Sequence, residues 1–310
     1  MKTPMTDLHR RAFLKGAAGT AMTFTAAVST AATAVAAAAE VKPKRNPISI
    51  FTKCFESLDY AAYAQTVAGL GVDGVEATIR PGGHIPPEKV EVELPKMVAA
   101  LKQRGLELTI MTTSITGTQD ALGVKQLRTA AALGIRRYRL GYLRYDLTKP
   151  VLAQIDALRP QLKELAALNA ELGLQAVYQN HSGRGYVGAS LWDLQRLFEG
   201  LDARHMAVAF DLGHATAEGM GSWEVQFNVI RPHLGVVYVK NFRWTNNRQE
   251  WVPLADGVVD RKFLKSLVQS GYTGPINLHE EYIDHRDPKL VPRHVEAYQR
   301  DLATLKQWLA

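Results

Sequence analysis

Several things are scarce in this sequence, and each scarcity excludes something. The 310 residues contain one cysteine, Cys54, so no internal disulfide can form and a zinc site built on several thiolates is ruled out. Aromatic residues make up only 8% of the chain. The longest apolar stretch, near the start, is too rich in Ala, Ser and Thr to read as a membrane span. Charge of one sign is also scarcer than the net value of +7 suggests. Residues 1–46 hold seven basic side chains, Lys2, Arg10, Arg11, Lys15, Lys42, Lys44 and Arg45, against Asp7 and Glu40. The remainder is close to balanced and offers no phosphate-tracking surface, so nucleic acid is not an expected partner. Finally, no glycine-rich phosphate loop follows the first apolar run, where FTKCFES stands instead; this disfavours an open dinucleotide-binding sheet.

What is present divides into two parts. The opening, DLHRRAFLKGAAGTAMTFTAAVSTAATAVAAAAE, has a basic start, a mildly apolar middle and an alanine-rich end, the order of a secretory signal. Arg10-Arg11 followed by Phe13, Leu14 and Lys15 resembles the twin-arginine export motif. Residues 1–39 are therefore read as a twin-arginine-type signal peptide, with cleavage between Ala34 and Glu40, and 40–46 as a short linker. This predicts an exported, periplasmic protein with no stable membrane insertion after cleavage; an uncleaved anchor or tail is the bland alternative.

From residue 47 to 310 short apolar runs alternate with longer segments of helical spacing. The runs start at Ile48, Gly74, Leu106, Arg137, Leu174, Met206, Leu234 and Pro275. Gly71, Gly105, Gly134, Gly173 and Gly271 close helices just before the next run. Runs without polar alternation indicate strands buried on both faces, hence a parallel sheet. Eight such units in about 260 residues match a single (β/α)8 TIM barrel.

In that architecture the chemistry lies at the carboxyl ends of the strands. Those ends carry unusual polarity here. AVAFDLGHA delivers a buried run into Asp211 and His214, and strand five ends in Gln179, Asn180 and His181. Strand seven gives Tyr238 and Lys240, and strand eight gives His279, Glu280 and Glu281. The second strand contributes Glu76, with Arg80 and His84 behind it. Alternation sends Gln179 and His181, Tyr238 and Lys240, and His279 and Glu281 inward in pairs, and Glu280 outward. Lys240, Glu281, His214 and His181 are the candidate proton-moving groups. Glu76, Arg80 and His84, with Trp244 and Trp251 around TNNRQE, are candidate substrate contacts. Each also has a structural reading. Asp211 can cap a helix, Glu76 can pair with Arg80 at the rim, and Gln179 can hydrogen-bond within the barrel. Lys240 can be a buried ion-pair partner, His84 can order its loop, the tryptophans can pin theirs, and Cys54 can be a small core side chain.

GVEATIRPGGHI, FDLGHA, VYVKNF with PLADGVVD behind it, and GPINLHEEY together resemble the sugar isomerase and epimerase barrels related to xylose isomerase and to endonuclease IV. The resemblance runs from about Ile48 to the end. It implies a divalent metal, Mn, Zn or Mg, held by Glu, Asp, His and Glu on strands five to eight, with glutamates moving protons. Only Asp211 matches. Gln179, Tyr238 and His279 stand at the other three positions, leaving Gln179, Asp211 and His279 as the candidate metal set. The resemblance implies an exported isomerase, epimerase, lyase or hydratase acting on a free, oxidised or glycosidic sugar, 3-keto-sugars included. The alternative is a sugar-binding barrel that has lost catalysis. A DNA-repair role would need three zinc ions whose ligands are missing. A homo-oligomer stays open.

Overall fold

The computed structural model describes residues 45–310. The signal peptide and all but the end of the linker read from the sequence lie outside the described residues. Among the described residues no helix is long and apolar enough to cross a membrane.

Eight strands close a parallel barrel: β1 (Ile48–Phe51), β2 (Gly74–Thr78), β3 (Glu107–Thr112), β4 (Arg137–Arg139), β5 (Gln175–Gln179), β6 (Met206–Asp211), β7 (Leu234–Val239) and β10 (Ile276–Leu278). Neighbours in sequence are neighbours in space, and β1 closes the ring against β10 through Ile48↔Ile276 and Ile50↔Leu278. This is the (β/α)8 barrel the sequence predicts. Helices such as α4 (Val151–Leu172), α6 (Leu212–Gly219) and α9 (Val291–Leu309) cover the outside. Strands are short and buried because each is covered on both faces, so β1, β2, β6 and β10 have no exposed residue. Local chemistry sets the joints. Gly173 ends α4 with φ 66°, a left-handed conformation that glycine adopts without a Cβ clash.

Inside the barrel the alternate residues form layers. Ile110, Val177, Ala207, Ala209, Val236 and Tyr238 make a small apolar plug. The carboxyl-end layer is polar. Two runs end earlier than their apolar composition suggests. β1 stops at Phe51, where Lys53–Phe55 turns into a 3-10 helix. β7 stops at Val239, and the residues after Lys240 form a separate antiparallel hairpin, β8 (Asn241–Thr245) with β9 (Arg248–Val252). Its turn residues Asn246 and Asn247 both have positive φ, 51° and 57°, as a two-residue hairpin turn with the twist of its strands requires. The barrel's last strand is therefore β10.

Candidate active site

Polar groups from the ends of β2, β4, β5 and β6 and from the residues just past β7 and β10 join into a closed ring around the mouth. Glu76 on β2 meets Arg139 on β4, Oε1 to Nε at 3.4 Å. Arg139 Nη1 donates to Gln179 Oε1 on β5 at 2.5 Å. Gln179 Nε2 donates to Asp211 Oδ2 on β6 at 2.7 Å. Lys240, just past β7, lies 3.1 Å from the same Asp211 oxygen and 3.5 Å from Glu281 Oε1. Glu281 Oε1 is 3.4 Å from His279 Nδ1, and His279 Nε2 returns to Glu76 Oε2 at 3.2 Å. Lys53 adds a contact to Glu281 Oε2 at 3.2 Å. Three carboxylates thus face three cations.

Asp211 serves two purposes at once. Its Oδ1 accepts from the His214 backbone N–H at 3.0 Å and caps α6. Its Oδ2 belongs to the ring. Asn180 fixes the approach, since its Oδ1 accepts from Asp211 N at 2.7 Å and its Nδ2 donates to Asp211 O at 3.1 Å. Burial pushes the Asp211 carboxyl up, but Lys240 and His214 outweigh it and hold it far below the usual range. Glu281 is treated the same way: burial raises it, and Lys240, His279 and Lys53 bring it well down. Glu76 is lowered too, burial being overcome by Arg139 and His279. Lys240 moves up, because Asp211 and Glu281 more than offset its burial. All three carboxylates and both ring cations are therefore charged at neutral pH.

The imidazoles behave in the opposite way. Burial, reinforced by Lys240, pushes His214 well below its ordinary value and lowers His181 as well. Both rings are neutral at pH 7. Ser182 Oγ donates to Gln249 Oε1 at 3.0 Å, so its contact with His214 Nδ1 at 2.7 Å is one it accepts. His214 Nε2 then presents its lone pair to Lys240 Nζ at 2.9 Å. His181 Nδ1 donates to Ser182 O at 2.7 Å, and its Nε2 has no partner among the described residues. The ring stacks on His214 and Tyr186, at centroid distances of 3.9 and 4.4 Å.

Over this corner of the ring opens a cleft of about 360 Å³, within the range of roughly 300–1,000 Å³ common for small-molecule sites. His181, His214 and Glu281 line its floor, and Trp244, Gln249 and Trp251 of the hairpin form its wall. Trp251 also covers Lys240 Nζ, 4.4 Å from the ring centroid. Gln249 Nε2 is buried without a hydrogen-bond partner among the described residues. A buried amide donor left free beside a cleft is suited to a ligand's hydroxyl or carbonyl.

The residues expected from the sequence separate into two groups. Lys240, Glu281, His214, His181, Trp244 and Trp251 converge on or beneath the cleft. Gln179, Asp211, His279 and Glu76 belong to the buried ring below. Arg80 and His84 join neither. Glu76 pairs with Arg139 rather than Arg80, and His84 Nε2 meets Leu58 O at 3.0 Å between Tyr60 and Tyr63, ordering its loop. The sequence reading did not single out Arg139, Tyr142, Lys53, Ser182 and Gln249. Arg139 had a signal, being a charged residue in the short run RYRLGY at an inward position. Gln249 and Ser182 had none, because the hairpin that brings them together is a tertiary event.

The expected metal set does not fit a divalent ion. Gln179 Oε1 already accepts from Arg139 and from Tyr142 at 2.6 Å, Asp211 Oδ2 is occupied by Lys240 and Gln179, and His279 Nε2 lies against Glu76. Among the described residues the one group of three or more His, Cys, Asp and Glu side chains close enough to share an ion is Cys54, Glu280 and His294, whose ligand atoms lie within 4.8 Å of one another.

Three solved structures place the fold among known proteins. A putative xylose isomerase from Rhodospirillum rubrum superposes with a TM-score of 0.66 at 17% identity, covering 83% of this chain and 99% of that one. The probable 3-DHS dehydratase of Bacillus anthracis gives 0.65 at 15%, over 84% and 98%. The 3-keto-D-glucoside 4-epimerase of E. coli gives 0.64 at 18%, over 85% and 100%. No curated protein sequence matches the chain. Residues 64–308 match the family described as Xylose isomerase-like TIM barrel. By that match, spanning most of its length, this chain belongs to the xylose isomerase-like TIM barrel family.

Proposed function

We propose that the protein is an exported enzyme that moves a proton at a carbon beside the carbonyl of a sugar, as an isomerase, epimerase, lyase or hydratase does. The observation that carries this reading is His181: a neutral imidazole at the floor of a tryptophan-walled cleft, its Nδ1 tied to Ser182 O and its Nε2 free. The free nitrogen accepts the proton as the C–H bond breaks. The electron pair moves toward the carbonyl, whose oxygen gains negative charge favoured by the Lys240 ammonium beneath the floor. The imidazolium then passes its proton to the neighbouring carbon while the hydroxyl proton on the first carbon moves to the former carbonyl oxygen, giving an isomer, or to a departing hydroxyl, giving an elimination product and water.

Glu281, the sequence's first candidate for proton acceptor, has three nitrogen neighbours and low proton affinity, so its role here is to hold Lys240 and Lys53 in place. Trp244 and Trp251 would lie against the sugar ring, and Gln249 Nε2 would donate to an oxygen on it. The structural neighbours include a 3-keto-D-glucoside 4-epimerase, a D-psicose 3-epimerase and a probable 3-DHS dehydratase, which favours this chemistry. Export is supported by Arg10-Arg11 and by a chain that needs no disulfide. Incubating the protein with ketohexoses and 3-keto-glucosides in deuterated water tests the reading. Deuterium should enter a carbon beside the carbonyl of one substrate. Sugar binding seen by tryptophan fluorescence, with no exchange in any substrate, would instead establish a binding protein.

A further inference from the structure

We propose that Lys240, seconded by Arg139, occupies the place of a divalent cation, so that the positive charge of the barrel mouth is part of the chain itself. Four electron-rich groups surround Lys240 Nζ: Asp211 Oδ2 at 3.1 Å, Glu281 Oε1 at 3.5 Å, His214 Nε2 at 2.9 Å and the face of Trp251 at 4.4 Å. Two carboxylate oxygens and an imidazole lone pair are a donor set a divalent metal would take. Their spacing about the nitrogen, 2.9 Å to the imidazole and 3.1 and 3.5 Å to the carboxylates, is that of a hydrogen bond and two ion pairs, longer than the ~2.0–2.2 Å of zinc–ligand bonds. Arg139 does the same on the other side, bridging Glu76 and Gln179.

Charge balance points the same way. Glu76, Asp211 and Glu281 are already matched by Arg139, Lys240 and Lys53. A divalent ion would add two uncompensated charges to a buried site, which costs several kcal/mol. The backbone is also shaped for the lysine. A Cβ on Gly213 would sit 3.0 Å from Lys240 Cγ and 3.1 Å from Lys240 O, so the bare glycine of FDLGHA leaves the lysine stem its path to Asp211.

The charge assignment stands apart from the reaction proposed above, and its test reads metal binding rather than turnover. All proteins would carry Cys54→Ser, so that the Cys54–Glu280–His294 cluster makes no contribution. After dialysis against a chelator, Mn²⁺ and Zn²⁺ binding and metal-dependent melting are compared for that parent with and without Asp211→Asn, and for Lys240→Met with and without Asp211→Asn. The parent should bind neither ion at millimolar concentration. Lys240→Met should bind at least tenfold more tightly than the parent, or, if it is destabilised, regain melting temperature when the ion is added. Asp211→Asn should remove that gain. Binding by the parent that Asp211→Asn abolishes would overturn the inference. So would a Lys240→Met protein that neither binds the ions nor is rescued by them.

Discussion

Two adjacent glutamates, Glu280 and Glu281, end the same strand run and do different work. Glu280 faces outward. Its Oε1 accepts from the backbone N–H groups of Tyr282 at 3.0 Å and Ile283 at 2.9 Å, and its Oε2 is bonded to His294 of α9. Glu281 faces the mouth, 19% of its side chain exposed, among Lys53, Lys240 and His279. One carboxylate fastens the last helix to the barrel; the other holds two ammonium groups at the cleft. The difference comes from the two-residue period of an extended chain, which assigns neighbours to opposite faces. Polarity at a strand end does not by itself mark a site; the face does.

The largest effect expected from breaking the inward side is at Lys240. Lys240→Met should lower turnover at least a hundredfold, the low end of what a positioned charge or proton carrier contributes. It should also cost about 3–5 kcal/mol of stability, because Asp211 is left buried with its charge uncompensated; urea unfolding measures this. His181→Gln should match the kinetic loss, about a hundredfold or more, with a smaller stability cost than Lys240→Met, about 1–2 kcal/mol, since it gives up the Nδ1 bond to Ser182 O and the ring contacts with His214 and Tyr186 but leaves no buried charge unpaired. A His181→Gln protein with full turnover would remove the imidazole from the mechanism.

The outward side should show the reverse. Glu280→Gln should keep turnover and cost about 1–3 kcal/mol, the penalty of weakening a buried charged network. His294→Ala should cost a similar amount, and the two losses should not add, because the residues share one contact.

The inward side should also respond to pH. His214 and His181 have folded values below those of the unfolded chain, so under about pH 6.5 the unfolded state takes up protons the folded state refuses. Stability should therefore fall as pH falls from about 6.5, by up to about 1.4 kcal/mol per pH unit for each ring. Asp211, Glu76 and Glu281 are depressed carboxylates, and their contribution is lost only further down, as pH drops below the usual carboxylate range. Melting curves from pH 7.5 to 5 on wild type and His214→Gln measure the slope, which should be shallower in the variant. The smallest effect belongs to the rim: Trp244, 45% exposed, should as Trp244→Ala weaken sugar binding several-fold and leave stability within about 0.5 kcal/mol.

The barrel was legible because a parallel strand needs an unbroken apolar run and a helix end favours glycine; Gly71, Gly105, Gly134, Gly173 and Gly271 all adopt positive φ. The inward pairs His279/Glu281 and Tyr238/Lys240 were legible from alternation alone. Other features were not. VYVKNF reads as one strand, but β7 ends at Val239 and Asn241 opens a hairpin with β9, so Lys240 stands at the break between the barrel and the hairpin over it. Asp211 looked like either a cap or a site residue, and its two oxygens make it both. Arg139 was hidden because its partners, Glu76 and Gln179, lie 63 and 40 residues away in sequence and meet it only once the barrel closes.

The central claim is that the inward face of the last strand run, and not its outward face, belongs to the reaction site. Solvent deuterium exchange into a 3-keto-sugar or ketohexose, measured as an initial rate for Glu281→Gln and Glu280→Gln side by side, tests it most directly. The account predicts that Glu280→Gln exchanges at close to the wild-type rate and that Glu281→Gln, folded but with Lys240 and Lys53 released, loses about a hundredfold or more. A folded Glu281→Gln that exchanges normally beside an inactive Glu280→Gln would contradict it.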